Sequence, residues 1–177
     1  MKLLLDETYW FALKAGRRDN AAAQLFDSVG STVFVARTPT TVVRHGKKVV
    51  EEKNLIPNVI FVRDTFRKVN AVRALNPFVT YTYHLEDSAY RITTVPEKEM
   101  QRFRHYVESM RDDLRYFRPE EVELQKGDKV RIIGGPLDGY EGTLLRAKGR
   151  QKRMFVVDFD LLGALGTHVE PEYIQIL

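Results

Sequence analysis

The chain has 177 residues, 44% of them apolar and 29% charged, the balance of a soluble globular protein and not of a disordered tail or a fibre. It contains no cysteine, which removes disulfides, thiolate metal sites and cysteine nucleophiles together. The formal net charge is +4, with the excess of Lys and Arg in residues 1–118 and near-neutrality in residues 124–177; an excess of that size favours proximity to nucleic acid without holding it alone.

At the start, Asp6 and Glu7 interrupt Met1-Lys2-Leu3-Leu4-Leu5 before an apolar segment of signal-peptide length accumulates. No targeting segment is expected, and no stretch approaches the roughly 20 apolar residues of a membrane helix. The expectation is a soluble, cytoplasmic protein without a membrane partner.

Thr8 to Ala15, with Tyr9-Trp10-Phe11-Ala12-Leu13, suits a buried strand. Ala22, Leu25, Phe26 and Val29 then recur at helical spacing, with Asp19 placed to cap the start and Gly30 to end the helix in the left-handed conformation. Thr32 to Ala36 returns to strand. Val42-Val43 and Val49-Val50 flank Arg44-His45-Gly46-Lys47-Lys48 as the arms of a hairpin. Val59-Ile60-Phe61-Val62 is apolar without alternation, which predicts a central strand buried on both faces.

Phe66, Val69, Val72 and Leu75 predict a second helix that stops at Asn76-Pro77, and Phe78 to Tyr83 a further strand. Pro96, Glu97 and Glu99 suit the first turn of a last helix, whose buried stripe would be Met100, Phe103, Val107, Met110 and Leu114. The order strand, helix, three strands, helix, strand, helix predicts an α+β sandwich with helices packed on a mixed sheet.

Tyr116 to Glu123 is polar, acidic and broken by Pro119, the composition of a domain boundary. The expected division is 1–117 for the first domain, 118–123 for the linker and 124–177 for the second. Past the linker, short strands alternate with glycine turns: 129–133, 142–146, 154–159, 167–169 and 173–177. Five short strands of this kind predict a small closed β-barrel, which removes exposed sheet edges.

Residues for catalysis are scattered. His45, His84, His105 and His168 have no metal-ligand spacing. Glu51-Glu52 would point to opposite faces of a strand, and Asp112-Asp113 would lie about 100° apart on a helix. Gly134-Gly135-Pro136 lacks the Lys and Ser/Thr of a phosphate-binding loop. Neither an enzyme nor a cofactor is expected.

The segment from Gly127 to Leu144 resembles the KOW motif, a strand, a glycine-proline turn and a second strand at one corner of an SH3-like barrel. Gly127, Asp128, Val130, Gly135, Pro136, Gly139 and Gly142 carry the likeness. The first domain resembles the amino-terminal domain of the NusG family: Trp10-Phe11-Ala12-Leu13-Lys14 matches its opening strand, and Leu55-Ile56-Pro57-Asn58-Val59-Ile60-Phe61-Val62 the strand after its Lys- and Val-rich hairpin. Phe155 to Phe159, Gly163, Thr167, Val169 and Glu170 match the end of the second domain.

The resemblance implies a transcription elongation or antitermination factor that suppresses pausing or termination, acting as a monomer on the RNA polymerase clamp. By resemblance, Trp10, Phe11, Ile56, Pro57 and Val59 would face the polymerase, and Arg17, Arg18 and Arg73 the non-template DNA. The second domain would recruit a ribosomal or termination-factor partner. Ile56, Asn58 and Val59 stand where the family has Phe, Gly and Tyr, and the loss of aromatic area points to a specialised member similar to RfaH or UpxY, serving long operons such as those for capsular polysaccharide. The alternative from another class is a ribosome-associated RNA-binding protein built on the KOW barrel; the near-neutral charge of residues 124–177 speaks against it.

Overall fold

The computed structural model describes residues 2–118, 127–146 and 153–177. They form two compact units, Met1–Ala36 with Ile56–Arg102 and Arg37–Leu55 with Phe103–Leu177. The expected linker residues 119–123 lie outside the described residues.

In the first unit, strand β1 (Thr8–Lys14) runs into helix α1 (Asp19–Ser28) and strand β2 (Thr32–Phe34). Asp19 does not cap α1. It is the first helical residue, and Arg18 precedes it without a side-chain cap bond, so the carboxylate sits in the first turn, where the helix dipole favours it. Gly30 closes the helix as expected, at φ +81°, with its N–H donating to Asp27 O and the Ser31 N–H to Phe26 O, the paired bonds of a Schellman ending.

The chain then makes the hairpin of β3 (Arg37–Arg44) and β4 (Lys47–Asn54), turning on His45 and Gly46, both at positive φ. It returns to the first unit as β5 (Val59–Thr65), which lies between β2 and β1 in the order expected of a central strand. Phe11 opposes Val62 and Leu13 opposes Ile60. These four side chains meet Ala22, Phe26 and Val69 in one buried cluster, so both early helices cover one face of the sheet.

Helix α2 (Phe66–Leu75) is capped by the Thr65 hydroxyl, which accepts from Lys68 N at 3.3 Å. Phe66, Val69 and Val72 join the core, but Leu75, expected with them, is 84% exposed. The reason is geometric: four residues spaced by three drift against the helical period, and the fourth arrives about half a turn from the first.

The expected strand 78–83 breaks at Thr82. Strands β6 (Thr80–Tyr81) and β9 (Thr94–Val95) both pair with β1, and β7 (Tyr83–Glu86) and β8 (Ala89–Ile92) make a hairpin between them. Its turn is Asp87-Ser88, both at positive φ. Neither residue is a glycine or asparagine, which is why the turn is silent in the sequence.

Helix α3 (Glu97–Ser109) starts directly after Pro96, and its residues from Phe103 onward belong to the second unit. Met100, Phe103 and Val107 are buried as expected; the helix ends before Met110 and Leu114, which are half-buried.

In the second unit a 3-10 turn at Arg111–Asp113 leads to β10 (Arg115–Phe117), followed by β11 (Asp128–Ile132), β12 (Glu141–Arg146), β13 (Arg153–Asp158), β14 (Ala164–His168) and β15 (Ile174–Ile176). They form one antiparallel sheet in the order β10-β14-β13-β12-β11-β15. Tyr116 and Phe117, expected at the edge of a polar boundary, are therefore strand residues, Phe117 pairing with Ala164. The core holds Val130, Ile132, Phe155, Val157, Phe159 and Leu165.

Gly142 has a packing reason: a Cβ there would run into the Val156 carbonyl oxygen and the Phe155 ring. Tyr106, absent from the expected stripe of α3, is fully buried in this unit. Its ring meets Phe159 and Tyr140 edge-on, each at 5.6 Å, and its hydroxyl donates to Phe155 O at 3.4 Å.

Candidate functional site

The segment expected to face a polymerase is a turn. Pro57 occupies its second position and Asn58 its third at φ +61°, and Val59 N–H reaches Ile56 O at 3.5 Å. A type II turn demands positive φ at that place, which explains why asparagine can stand where glycine is otherwise used. Asn58 O accepts from Ala15 N at 2.8 Å and fastens the turn to the end of β1. Pro57 is exposed, Val59 half-buried and Ile56 only 7% exposed.

Trp10 and Phe11 do not join that patch. Phe11 is wholly buried on the face covered by α1 and α2, between Phe66 and Tyr81 at 6.0 and 5.8 Å. Trp10 is buried too, four register positions from Val59 along the β1–β5 pair. Its indole donates to Glu97 Oε2 at 3.0 Å, an oxygen that also accepts from Arg63 Nε at 3.1 Å, while Glu97 Oε1 accepts from Gln101 at 3.2 Å. Partial burial pulls the Glu97 carboxyl upward, but the bonds from Gln101, Trp10 and Arg63 outweigh it and hold the group below its ordinary value.

Two of the three candidate arginines, Arg18 and Arg73, lie on aromatic rings. Arg17 lies exposed at φ +67° in the turn between β1 and α1. Next to it, the Arg18 guanidinium sits 5.2 Å from the Phe78 ring centroid. Arg73, in the last turn of α2, lies 3.9 Å above the Tyr81 ring. No carboxylate among the described residues pairs with any of the three, so each cation remains open to an anion. Burial chiefly, and the neighbouring Tyr83 phenol, push the Tyr81 hydroxyl up to about 12 against the pull of Arg73. Phe78 and Tyr81 escaped the sequence reading as parts of this site, although each stands two or three residues from the next ring in Phe78-Val79-Thr80-Tyr81-Thr82-Tyr83.

The motif residues of the second unit gather at one corner. Val130 is fully buried, Gly135 and Gly139 take positive φ, and Asp138 Oδ1 accepts from Gly134 N at 2.6 Å. Ile132 N–H donates to Tyr140 O and Gly139 N–H to Ile132 O, both at 2.9 Å, closing the turn. Asp128 begins β11, pairing with Leu144, and the carbonyl of Pro136 accepts from His105 Nε2 at 2.9 Å. Gly127 lies flush against Leu144 and Thr143, leaving no room for a side chain.

In the same unit, Asp113 accepts from the His168 backbone N–H at 2.7 Å, from its ring at 2.8 Å and from the Thr167 hydroxyl at 3.1 Å. A depression of about 420 Å³ is bordered by Lys129, Glu141, Thr143 and Asp158. Among the described residues no three His, Cys, Asp or Glu converge as a metal site, and no helix is long and apolar enough to cross a membrane.

No protein-family model matches the chain, and no curated protein matches it. Among solved structures, the chain is similar to one described as "Domain interaction in Thermotoga maritima NusG", with a TM-score of 0.55 and 16% identity, over 97% of this chain and 98% of that one. The fold is thus the NusG-like α+β fold, an amino-terminal sandwich followed by a small β domain.

Proposed function

We propose that the protein is a transcription elongation or antitermination factor that binds RNA polymerase and is not an enzyme. The observation that carries this reading is a NusG-like fold matched over nearly the full length of both chains. Docking on the polymerase clamp falls to Ile56, Pro57 and Val59, with Trp10 and Phe11 shaping the sheet beneath the turn. Arg17, Arg18 and Arg73 face non-template DNA, where a planar cation without a carboxylate partner can meet phosphate or guanine edges. The small β domain is a KOW domain, and its turn recruits a further factor. The short aliphatic turn in place of an aromatic one favours a specialised role of the RfaH or UpxY kind over a general one.

The test is co-purification of the full chain with RNA polymerase core enzyme, followed by transcription through a pause site and a terminator. Stoichiometric binding with increased read-through is the expected result. Absence of polymerase binding overturns the reading.

A further inference from the structure

In the second unit, β3 and β4 form a sheet of two strands, and among the described residues no third strand joins them. Their turn, His45-Gly46, has two residues at positive φ, so the flanking pair Arg44–Lys47 exchanges both ladder bonds, as does every second pair after it. Pro39, opposite Glu52, falls between those bonded pairs, where an N–H would point away from the partner strand. On β4 the residues so placed are Lys48, Val50 and Glu52, whose N–H and C=O groups point outward along the edge. The β3 edge is closed at its base: Pro39 has no N–H to offer, and the Thr38 hydroxyl donates to Arg111 O at 2.8 Å. The β4 edge has no proline and no such contact at Lys48 or Val50.

We propose that the β4 edge takes up an extended acidic segment of a partner protein as a third strand. Main-chain bonds along the edge would supply affinity, and the side chains select the partner's charge. Glu51 is held by Arg44 and Glu52 by Arg111, so Lys47, Lys48 and Lys53 have no carboxylate partner among the described residues. Val43 and Val50, diagonal neighbours on one face of the ribbon, are 68% and 67% exposed, and an added strand would cover them in part. Lysine on an edge keeps a second copy of the strand away, because like charges would meet; the same lysines draw in a strand of opposite charge. Nucleic acid also attracts lysine, but a phosphate backbone leaves the outward carbonyls and the two valines without a use, and valine offers no ring to a base. This pairing does not depend on the elongation-factor reading.

The experiment titrates the full-length protein with a capped, fluorescent peptide of alternating glutamate and valine, read by anisotropy and by amide hydrogen exchange. The same peptide with lysine in place of glutamate, a fluorescent oligo-dT and a polymerase pull-down run beside it. The acidic peptide should bind about tenfold or more tightly than the basic one and slow exchange of the Lys48, Val50 and Glu52 amides. Lys47→Glu with Lys48→Glu should reverse the preference. Val50→Pro removes one outward N–H while sparing the bonds to β3, and should weaken the acidic peptide about fivefold. All three substituted side chains are exposed, and thermal melting of each variant checks folding. If Val50→Pro unfolds the hairpin, amide protection in the wild type decides in its place. Equal binding of the two peptides overturns the third strand, as does peptide binding that leaves those amides unprotected. Tighter binding of oligo-dT than of the acidic peptide makes the hairpin a nucleic-acid surface and overturns it too. A protein that captures polymerase but not the peptide loses the third strand and keeps the elongation-factor reading; one that takes the peptide but not polymerase does the reverse.

Discussion

The indole N–H of Trp10 donates to Glu97 Oε2 at 3.0 Å and ties the middle of the first strand to the first turn of the last helix. The two residues are 87 positions apart, and the bond fixes where α3 begins on the sheet. Glu97→Ala strands the indole N–H and unpairs Arg63. The expected loss is about 1–2 kcal/mol, read as a lower midpoint in thermal or urea unfolding. Glu97→Gln, which keeps an acceptor, should lose less. Equal stability of Glu97→Ala and wild type would show the bond to be idle.

Asp113 gives the second unit an acid-sensitive fastening. Burial raises its carboxyl, but the His168 backbone N–H, the His168 ring and the Thr167 hydroxyl outweigh that and hold it below its ordinary value. A depressed carboxyl contributes stability that is complete above the unfolded-state value, about 3.9, and is lost as pH falls through the lower folded value. Asp113→Asn should therefore be less stable than wild type at pH 7, and the gap should close below about pH 4. A gap that persists to pH 2 would mean that packing, not charge, distinguishes the two side chains.

Val59→Asp separates docking from packing at the turn of residues 56–59. Val59 is half-buried opposite Lys14, so a carboxylate can reach solvent in the free protein. In a docked complex it would be buried without a partner, at a cost of several kcal/mol. The expected outcome is a melting temperature within a few degrees of wild type and no co-purification with RNA polymerase. A collapse in stability instead would assign Val59 to the core.

The boundary expected from the sequence, between segments 1–117 and 124–177, cuts through the second compact unit, which takes in Arg37–Leu55 and Phe103–Leu177. A 124–177 fragment should unfold cooperatively but less stably than a 110–177 fragment, since only the longer one keeps β10 along the edge of β14. Tyr116 and Phe117 would supply the difference, about 1–3 kcal/mol from burial of Phe117. An unfolded 124–177 fragment would place the boundary before β10.

Where local chemistry decides structure, the sequence was readable. The apolar run 59–62 became the central strand, Gly30 the helix ending, and His45-Gly46 the hairpin turn, because each depends on residues next to one another. The β7–β8 hairpin was not readable: its turn is Asp87-Ser88, and positive φ in those residues is imposed by the pairing on either side. Leu75 was misplaced by a spacing of three that leaves the buried face. The arginines at 17, 18 and 73 are legible as basic positions, but the ring under Arg73, Tyr81, is set there by the pairing of β6 with β1. The resemblance assigns Trp10 to the polymerase-facing set; its bond to Glu97 is not legible in the sequence because the two lie 87 positions apart.

Gly142 bears on which substitutions this fold can accept. Its hydrogen atom faces a backbone oxygen, and backbone cannot be exchanged by mutation the way a neighbouring side chain can. Exchanging a neighbouring side chain does not move that oxygen, so only glycine fits at that point while this pairing is kept. Any descendant that retains the β12–β13 pairing is expected to read glycine at 142, whatever it reads on either side.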